Sequence, residues 1–264
     1  MTTFTKIALS TLAAGSALAL AACGGSGETE AAAGPLNTEG KLVHCMNAPY
    51  EPFEVAEGDE FVGFDIDLGK ALAEHMGVEY EAVSVSFDTL ESGVALTSGQ
   101  CDIVLAGMAI TDERASKMDF SAPYLNDNLA LLTAEGSDIA GLEDIAGLNV
   151  GAQQGTTGED LATDNGATVV QFEDAALQVQ SVLTGQTEAV IANVSIVATS
   201  VAANEGLMMA ADLETGEQIG AAVEQGNTEL MTAWEETFAA LQESGDYDAL
   251  VDEWFGEVAD AARV

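Results

Sequence analysis

Basic residues are scarce in this chain. Its 264 residues hold 6 Lys+Arg against 45 Asp+Glu, a formal net charge of −39. That balance excludes nucleic acid as a partner, because phosphate contacts need a basic face. It equally argues against docking of the folded part on an anionic lipid surface. Histidine is nearly missing too: His44 and His75 are the only two, so a His-based catalytic centre has little material, and both read as packing or surface residues. No Cys-x-x-Cys or Cys/His spacing supports zinc or another metal. No Gly-rich phosphate loop follows a strand, since Gly24-Gly25-Ser26-Gly27 precedes any strand signal. No cofactor is implied. What remains is a well-stocked interior: 48% of residues are hydrophobic, enough for one large or two medium domains. The acidity then reads as a heavily solvated surface, kept soluble at some cost in self-repulsion.

The chain also lacks a long hydrophobic run. The apolar and small-residue stretch at 7–22, preceded by Lys6, is too short and too rich in Ala, Gly, Ser and Thr for a spanning helix. It ends in Leu20-Ala21-Ala22-Cys23, which resembles the lipobox of bacterial lipoprotein signal peptides; an ordinary secretory signal with a chance Cys is the alternative. The resemblance implies cleavage after residue 22 and a diacylglyceryl group on Cys23. Residues 23–40, rich in Gly, Ser, Glu, Ala and Thr, read as a flexible tether. The expectation is an exported protein, lipid-anchored through Cys23 to the outer face of the cytoplasmic membrane. An oxidising compartment permits a bridge between Cys45 and Cys101; two buried free thiols fit their apolar surroundings equally well.

From residue 41 strand and helix signals alternate. Strands are predicted at 42–46, 78–85 and 102–110, and helices at 65–76 and 88–98. The alternation restarts with strands at 148–153, 168–172 and 188–193 and helices at 157–163 and 174–183. A strand at 218–223 and helices at 228–243 and 247–255 close the chain. Such alternation defines α/β layers with mostly parallel sheets. There is an internal echo: the run from Thr97 to Gly107 matches that from Leu183 to Asn193, each a helix end, a Gly-Gln turn, an acidic residue and an apolar strand. Two similar lobes produce such an echo. Ligands of open α/β sheets bind beyond the carboxyl ends of the strands, so a site between the lobes includes Gly107 and Asn193.

Five motifs stand in order: Tyr50-Glu51-Pro52-Phe53, Gly63-Phe64-Asp65-Ile66-Asp67-Leu68, Ala109-Ile110-Thr111-Asp112-Glu113-Arg114, Asp119-Phe120-Ser121-Ala122-Pro123-Tyr124 and Gln154-Gly155-Thr156-Thr157. Together they resemble the polar amino-acid family (family 3) of solute-binding proteins that serve ABC importers, over residues 41–256. The resemblance implies a two-lobe periplasmic-binding-protein clamshell of type II, with two hinge crossings. Residues 41–123 and 219–264 would form lobe 1, and residues 124–218 lobe 2. It implies a monomer that captures an amino acid, or a related zwitterion or carboxylate, and delivers it to an ABC permease. The same fold is shared by cyclohexadienyl dehydratases, and a ligand-sensing module for a membrane partner is a further alternative. No titrating group stands at the positions an enzyme of this kind would use, apart from Glu51 and Glu54.

By the resemblance, Arg114 grips the ligand α-carboxylate bidentately, as a planar fork matches a planar anion. Thr156 and Thr157 open a helix whose N–H groups favour the same anion. Tyr50 and Phe87 wall the ligand side chain. Gly107, Met108 and Ala109 offer backbone groups, and Gln153 reads the side chain. The chain departs from the family pattern at three positions. Ala109 stands where a Ser or Thr is usual, and Asn193 where an Asp pairs with the ligand ammonium. Asn47 likewise replaces a common Asp. Either another acid, Glu51 or Glu54, supplies the missing charge, or the ligand lacks a primary ammonium.

Overall fold

A computed structural model of the protein describes residues 35–264; the expected leader at 1–22, the expected lipidation site Cys23 and most of the expected tether lie outside the described residues. The elements follow the alternation. Strand β1 (Lys41–Met46) leads to a hairpin of β2 (Val55–Glu57) and β3 (Glu60–Val62), then α1 (Phe64–Met76), β4 (Glu79–Ser84), α2 (Phe87–Glu91), α3 (Val94–Thr97), β5 (Ile103–Val104), α4 (Asp112–Ala115) and β6 (Asp119–Phe120). The chain crosses through β7 (Leu125–Asn126) to β8 (Leu129–Ala134), β9 (Asn149–Gln153), α5 (Thr157–Asp164), β10 (Thr168–Phe172), α6 (Ala175–Leu183), β11 (Ala189–Asn193), α7 (Val194–Ala203) and β12 (Leu207–Asp212). It returns through β13 (Gln218–Ile219) to β14 (Ala222–Val223) and ends in α8 (Thr228–Ser244), α9 (Asp246–Phe255) and α10 (Ala259–Ala262).

Two five-stranded sheets result, ordered β4-β1-β5-β14-β6 and β10-β9-β11-β8-β12. In each, three strands run parallel, the fourth runs against them, and the fifth runs against the fourth. Four of five strands therefore share one direction in both lobes. The echo seen in sequence is explained: β5 and β11 hold the same third place in their sheets. The antiparallel strand is in each case the first one laid down after a crossing. The crossings themselves pair, β7 against β13, so the lobes are joined by a two-stranded ribbon.

Local chemistry starts and stops the helices where side chains allow. Thr156, Asp174 and Asn227 cap α5, α6 and α8 by accepting from the backbone N–H three residues on. The capping residue Asp174 thus lies just outside α6. Helix α1 carries Asp65 and Asp67 in its first turn and stops at Gly77 in the left-handed region. Its face packs against α8 and α9, where Phe64, Tyr124, Trp234, Tyr247 and Phe255 meet mostly edge to face. Trp234 and Phe255 are core residues.

Three expectations need correction. The helix expected at 88–98 is two, α2 and α3, because Gly93 takes φ 74 between them. The strand expected at 102–110 pairs in the sheet only over β5, because Gly107 turns the chain at φ 52. The strand expected at 218–223 is split into β13 in the ribbon and β14 in the sheet. The alternation also omits β8, α7 and β12: β11 runs into α7 with no turn residue between them, so the apolar run 189–203 has no punctuation. Finally, Cys45 on β1 and Cys101 before β5 are bridged, with Cα atoms 5.7 Å apart. This decides the alternative of two free thiols and fits an oxidising compartment.

A candidate amino-acid site between the lobes

The carboxyl ends of β1 and β5 in the first lobe face those of β9 and β11 in the second. Three direct hydrogen bonds cross the gap. The Tyr50 hydroxyl donates to Asn193 Oδ1 at 2.7 Å, Gln153 Nε2 donates to Asn47 Oδ1 at 2.7 Å, and Arg114 donates to the Gly155 carbonyl at 2.9 Å. Residues predicted from sequence are thus brought together and bonded to one another. The lobes are closed. The cavity lined by Tyr50, Gln153, Thr156 and Asn193 holds about 10 Å³, room for about one water. A wider groove of about 510 Å³ adjoins it, lined by Asn47, Phe87, Asp88, Gln154, Glu173 and Asp174 among others.

Arg114 is the centre of this arrangement. Thr111 caps α4 and accepts from the Arg114 N–H, which aims the side chain into the gap. The guanidinium lies 5.2 Å from the centre of the Phe87 ring. It is 4% exposed and donates only to the Ala109 and Gly155 carbonyls. Among the described residues Lys41, Lys70, Lys117 and Arg263 each have a carboxylate within 4.0 Å, and Arg114 has none. Burial pulls its pKa down, against the pull of Glu91 and Glu217. A buried cation held only by carbonyls is a strong acceptor of an anion.

Buried acids fix the backbone behind the cleft. Asp65 Oδ2 accepts from the Gly107 N–H at 2.7 Å, and both Asp65 oxygens accept from the Tyr124 hydroxyl. Burial raises the Asp65 carboxyl to about 7, while those donors pull it down. A side chain at Gly107 would meet Tyr50 at 2.8 Å, so glycine is required here for packing as well as for its positive φ. Glu54, fully buried, accepts from the Asn47 N–H; burial, and then the nearby Asp65, hold its pKa well above the carboxylate range. In the second lobe Asp127 accepts from both the N–H and the hydroxyl of Ser195 at the start of α7. Burial raises it to about 7.

Several expected roles change accordingly. The Gly107 N–H is engaged by Asp65, and the Met108 carbonyl accepts from Gly220 N–H. Of that strand end, the Met108 and Ala109 N–H groups donate to no described residue. Glu54 faces away from the gap behind Asn47, and Glu51 is exposed beside Pro49 and α6. Neither stands beside Arg114. Thr156 is committed to capping and to the Gln153 carbonyl. Phe87 supports Arg114 from below. Tyr50 stacks on Phe53 at 5.5 Å while its hydroxyl reaches Asn193. His44 is a core residue, fully buried between Tyr80 and the Leu105 carbonyl, its pKa lowered by burial to about 4.

One acid at the site went unread in the sequence. Glu217 stands just before β13 in the ribbon, its carbonyl accepting from the Asp127 N–H at 3.1 Å. Its carboxylate lies by Thr157 and Asn193 and feels Arg114; burial raises its pKa against all three. Oxygen Oε2 is enclosed without a hydrogen-bond partner. In a chain with 45 acidic residues, nothing in composition or spacing separates this one from its exposed neighbours.

The fold and cleft define a type II two-lobe binding protein. Residues 42–257 match the bacterial extracellular solute-binding proteins, family 3, and the chain belongs to that family. It is 32% identical to the probable histidine-binding protein of Neisseria gonorrhoeae, over 92% of each chain. An ancestral arginine-binding protein bound to glutamine superposes with a TM-score of 0.79 at 34% identity, covering 83% of this chain and 100% of that one. An ancestral amino acid-binding protein described as a precursor of cyclohexadienyl dehydratase gives 0.76 at 32% identity, covering 82% and 95%.

Proposed function

We propose that this protein is the substrate-binding lipoprotein of an ABC importer, capturing an amino acid between its lobes and passing it to a membrane permease without turnover. The observation that carries this is Arg114: a buried guanidinium at the floor of the cleft with no carboxylate partner, in a chain otherwise crowded with acids. The amino-acid carboxylate lies on Arg114 and the free Ala109 N–H, with Thr157 at the helix start facing it from the second lobe. The side chain extends past Tyr50 and Gln153 toward the groove of Asn47 and Phe87. Asp88, Glu173 and Asp174 line that groove, which favours side chains that are neutral or cationic. The histidine- and arginine-binding relatives support this reading.

The lobes comprise residues 41–123 with 219–264, and 124–218, hinged on the β7–β13 ribbon. An amino acid enters only when the lobes part, and their reclosure replaces the three direct bonds across the gap with bonds to ligand. Export and an anchor at Cys23, with residues 24–40 as tether, complete the proposal. The test is a thermal-melting panel of the twenty common amino acids, cyclic and N-methylated zwitterions and simple carboxylates. A ligand at about 100 times its Kd adds roughly 2.7 kcal/mol. Stabilisation by an amino acid in the protein, and none in Arg114→Ala, is the expected outcome. No shift with any amino acid, or an unaltered shift in Arg114→Ala, refutes the assignment.

A further inference from the structure

We propose that Glu217, on the ribbon that joins the lobes, receives the ammonium group of the bound amino acid together with Asn193, so that the cleft selects zwitterions over plain carboxylates. This rests on the amino-acid reading above and names the charge that the cleft otherwise lacks. Asn193 sits at the end of β11 and is buried, but an amide carries no charge to offset an ammonium, and a buried cation without one is costly. Its Oδ1 accepts from Tyr50, and its Nδ2 donates to the Asp127 carbonyl.

Asp88, Glu173 and Asp174 line the outer groove that takes the side chain, and three further acids near the cleft stand apart from Asn193 or are already engaged. Asp127 spends both oxygens on Ser195. Glu54 lies behind Asn47. Glu91 is paired with Lys117. Enclosed oxygens that accept no hydrogen bond occur on Glu54, behind Asn47, and on Glu217, and of the two only Glu217 sits by Asn193 and Thr157. Arg114 faces the same cleft and is not ion-paired with it, since no carboxylate lies within 4.0 Å of the guanidinium. One cleft thus presents a cation and an anion that do not satisfy each other. A molecule with a carboxylate and an ammonium on one carbon satisfies both at once, and a simple carboxylate would leave Glu217 uncompensated beside its own negative charge. The location on the ribbon adds a consequence: the ammonium is held by a residue whose backbone flexes during closure.

The experiment is calorimetric titration of the purified protein, Glu217→Gln and Glu217→Asp with the twenty common L-amino acids. Each amino acid that binds is then compared with its 2-hydroxy analogue, in which a hydroxyl replaces the ammonium. Melting curves verify that both variants fold. The expected result is that Glu217→Gln weakens amino-acid binding by about 30-fold or more, changes the hydroxy analogue by less than about threefold, and that Glu217→Asp keeps most of the affinity. Glu217→Gln binding its amino acid with an unaltered Kd overturns the inference and leaves the amino-acid reading standing. Equal losses for amino acid and analogue also overturn it, showing a structural role. Failure of the wild-type protein to bind any of the twenty overturns the amino-acid reading, and this inference with it.

Discussion

The two lobes share a strand order and differ in what they bring to the cleft. The first lobe supplies the guanidinium of Arg114, the rings of Tyr50 and Phe87, and the only bridge among the described residues. Its strand ends are pinned from behind by Asp65 and Glu54. Apart from Glu217 on the ribbon, the second lobe supplies uncharged groups, the Gln153 and Asn193 amides, the Gly155 carbonyl and the start of α5. Its α5 packs close on β11 because Gly158 has no side chain; a Cβ there would lie 2.9 Å from the Ile191 carbonyl oxygen. The same topological position, the end of the third strand, is a locked turn at Gly107 in one lobe and a cross-cleft side chain at Asn193 in the other. One scaffold used twice therefore gives an anchor and a cover: charge and strain are buried where the backbone is braced, and adaptable hydrogen bonding is placed where the surface must come and go.

The sharpest way to break the comparison is to remove the brace. Cys45→Ala with Cys101→Ala opens a loop of 56 residues' separation, and chain entropy puts the loss near 4 kcal/mol. Denaturant unfolding reads it, and the second lobe should keep its hydrogen-exchange protection longer than the first. Uniform loss of protection would mean the lobes do not differ in this way.

Next comes the division between anchor and cover. Arg114→Ala is expected to weaken amino-acid binding by roughly 3 kcal/mol, about 100-fold. Gln153→Ala, which removes a neutral amide, should cost about 1 kcal/mol. Equal losses by calorimetry would erase the distinction.

The third test uses pH, because each lobe buries a titrating group of opposite sign. His44 in the first lobe has a folded pKa near 4, below the ordinary value of 6.5. The unfolded chain takes up that proton first, so stability falls as pH drops from about 6.5 toward 4, by up to roughly 3 kcal/mol. Asp127 in the second lobe is raised to about 7. Its contribution is fully present below the unfolded value near 4 and is lost as pH rises through 7. Between pH 4 and 7, His44→Gln should flatten the rise of stability with pH, and Asp127→Asn should steepen it. Wild-type slopes in both variants would refute these environments.

The smallest effect is expected from Tyr50→Phe, which removes one bond across the gap, worth about 1 kcal/mol. The unliganded protein should then open more, visible as a larger radius of gyration in solution scattering. An unchanged radius would show that this bond does not hold the lobes shut.

Much of this was legible in the residues themselves. Capping residues, Gly stops and apolar periods place β1, β4, β9, β10, β11, α1, α5, α6, α8 and α9 within a residue or two, since these signals act over one turn of chain. Arg114 was legible because arginine is so rare here, and Asn193 because β11 repeats β5. Elements without local punctuation were not: α7 continues an apolar run, and the 102–110 segment leaves the sheet after Val104 and turns at Gly107, whose N–H is held by Asp65 and whose lack of a side chain makes room for Tyr50, residues more than forty positions away.

By itself the sequence determined the alternation of strands and helices, the echo of one turn and strand in the second half and the single unusual cation, because each is written in near neighbours or in composition. Which acids serve the cleft was decided by the tertiary structure alone. Glu51, Glu54, Asp65, Asp127 and Glu217 are chemically alike in the chain, and only the fold buries Glu54, Asp65 and Asp127 against backbone or hydroxyl donors, half-buries Glu217 and leaves Glu51 exposed. Glu54, behind Asn47, and Glu217, by Asn193, each keep an unmatched oxygen, because desolvation and hydrogen-bond geometry depend on neighbours that are distant in sequence.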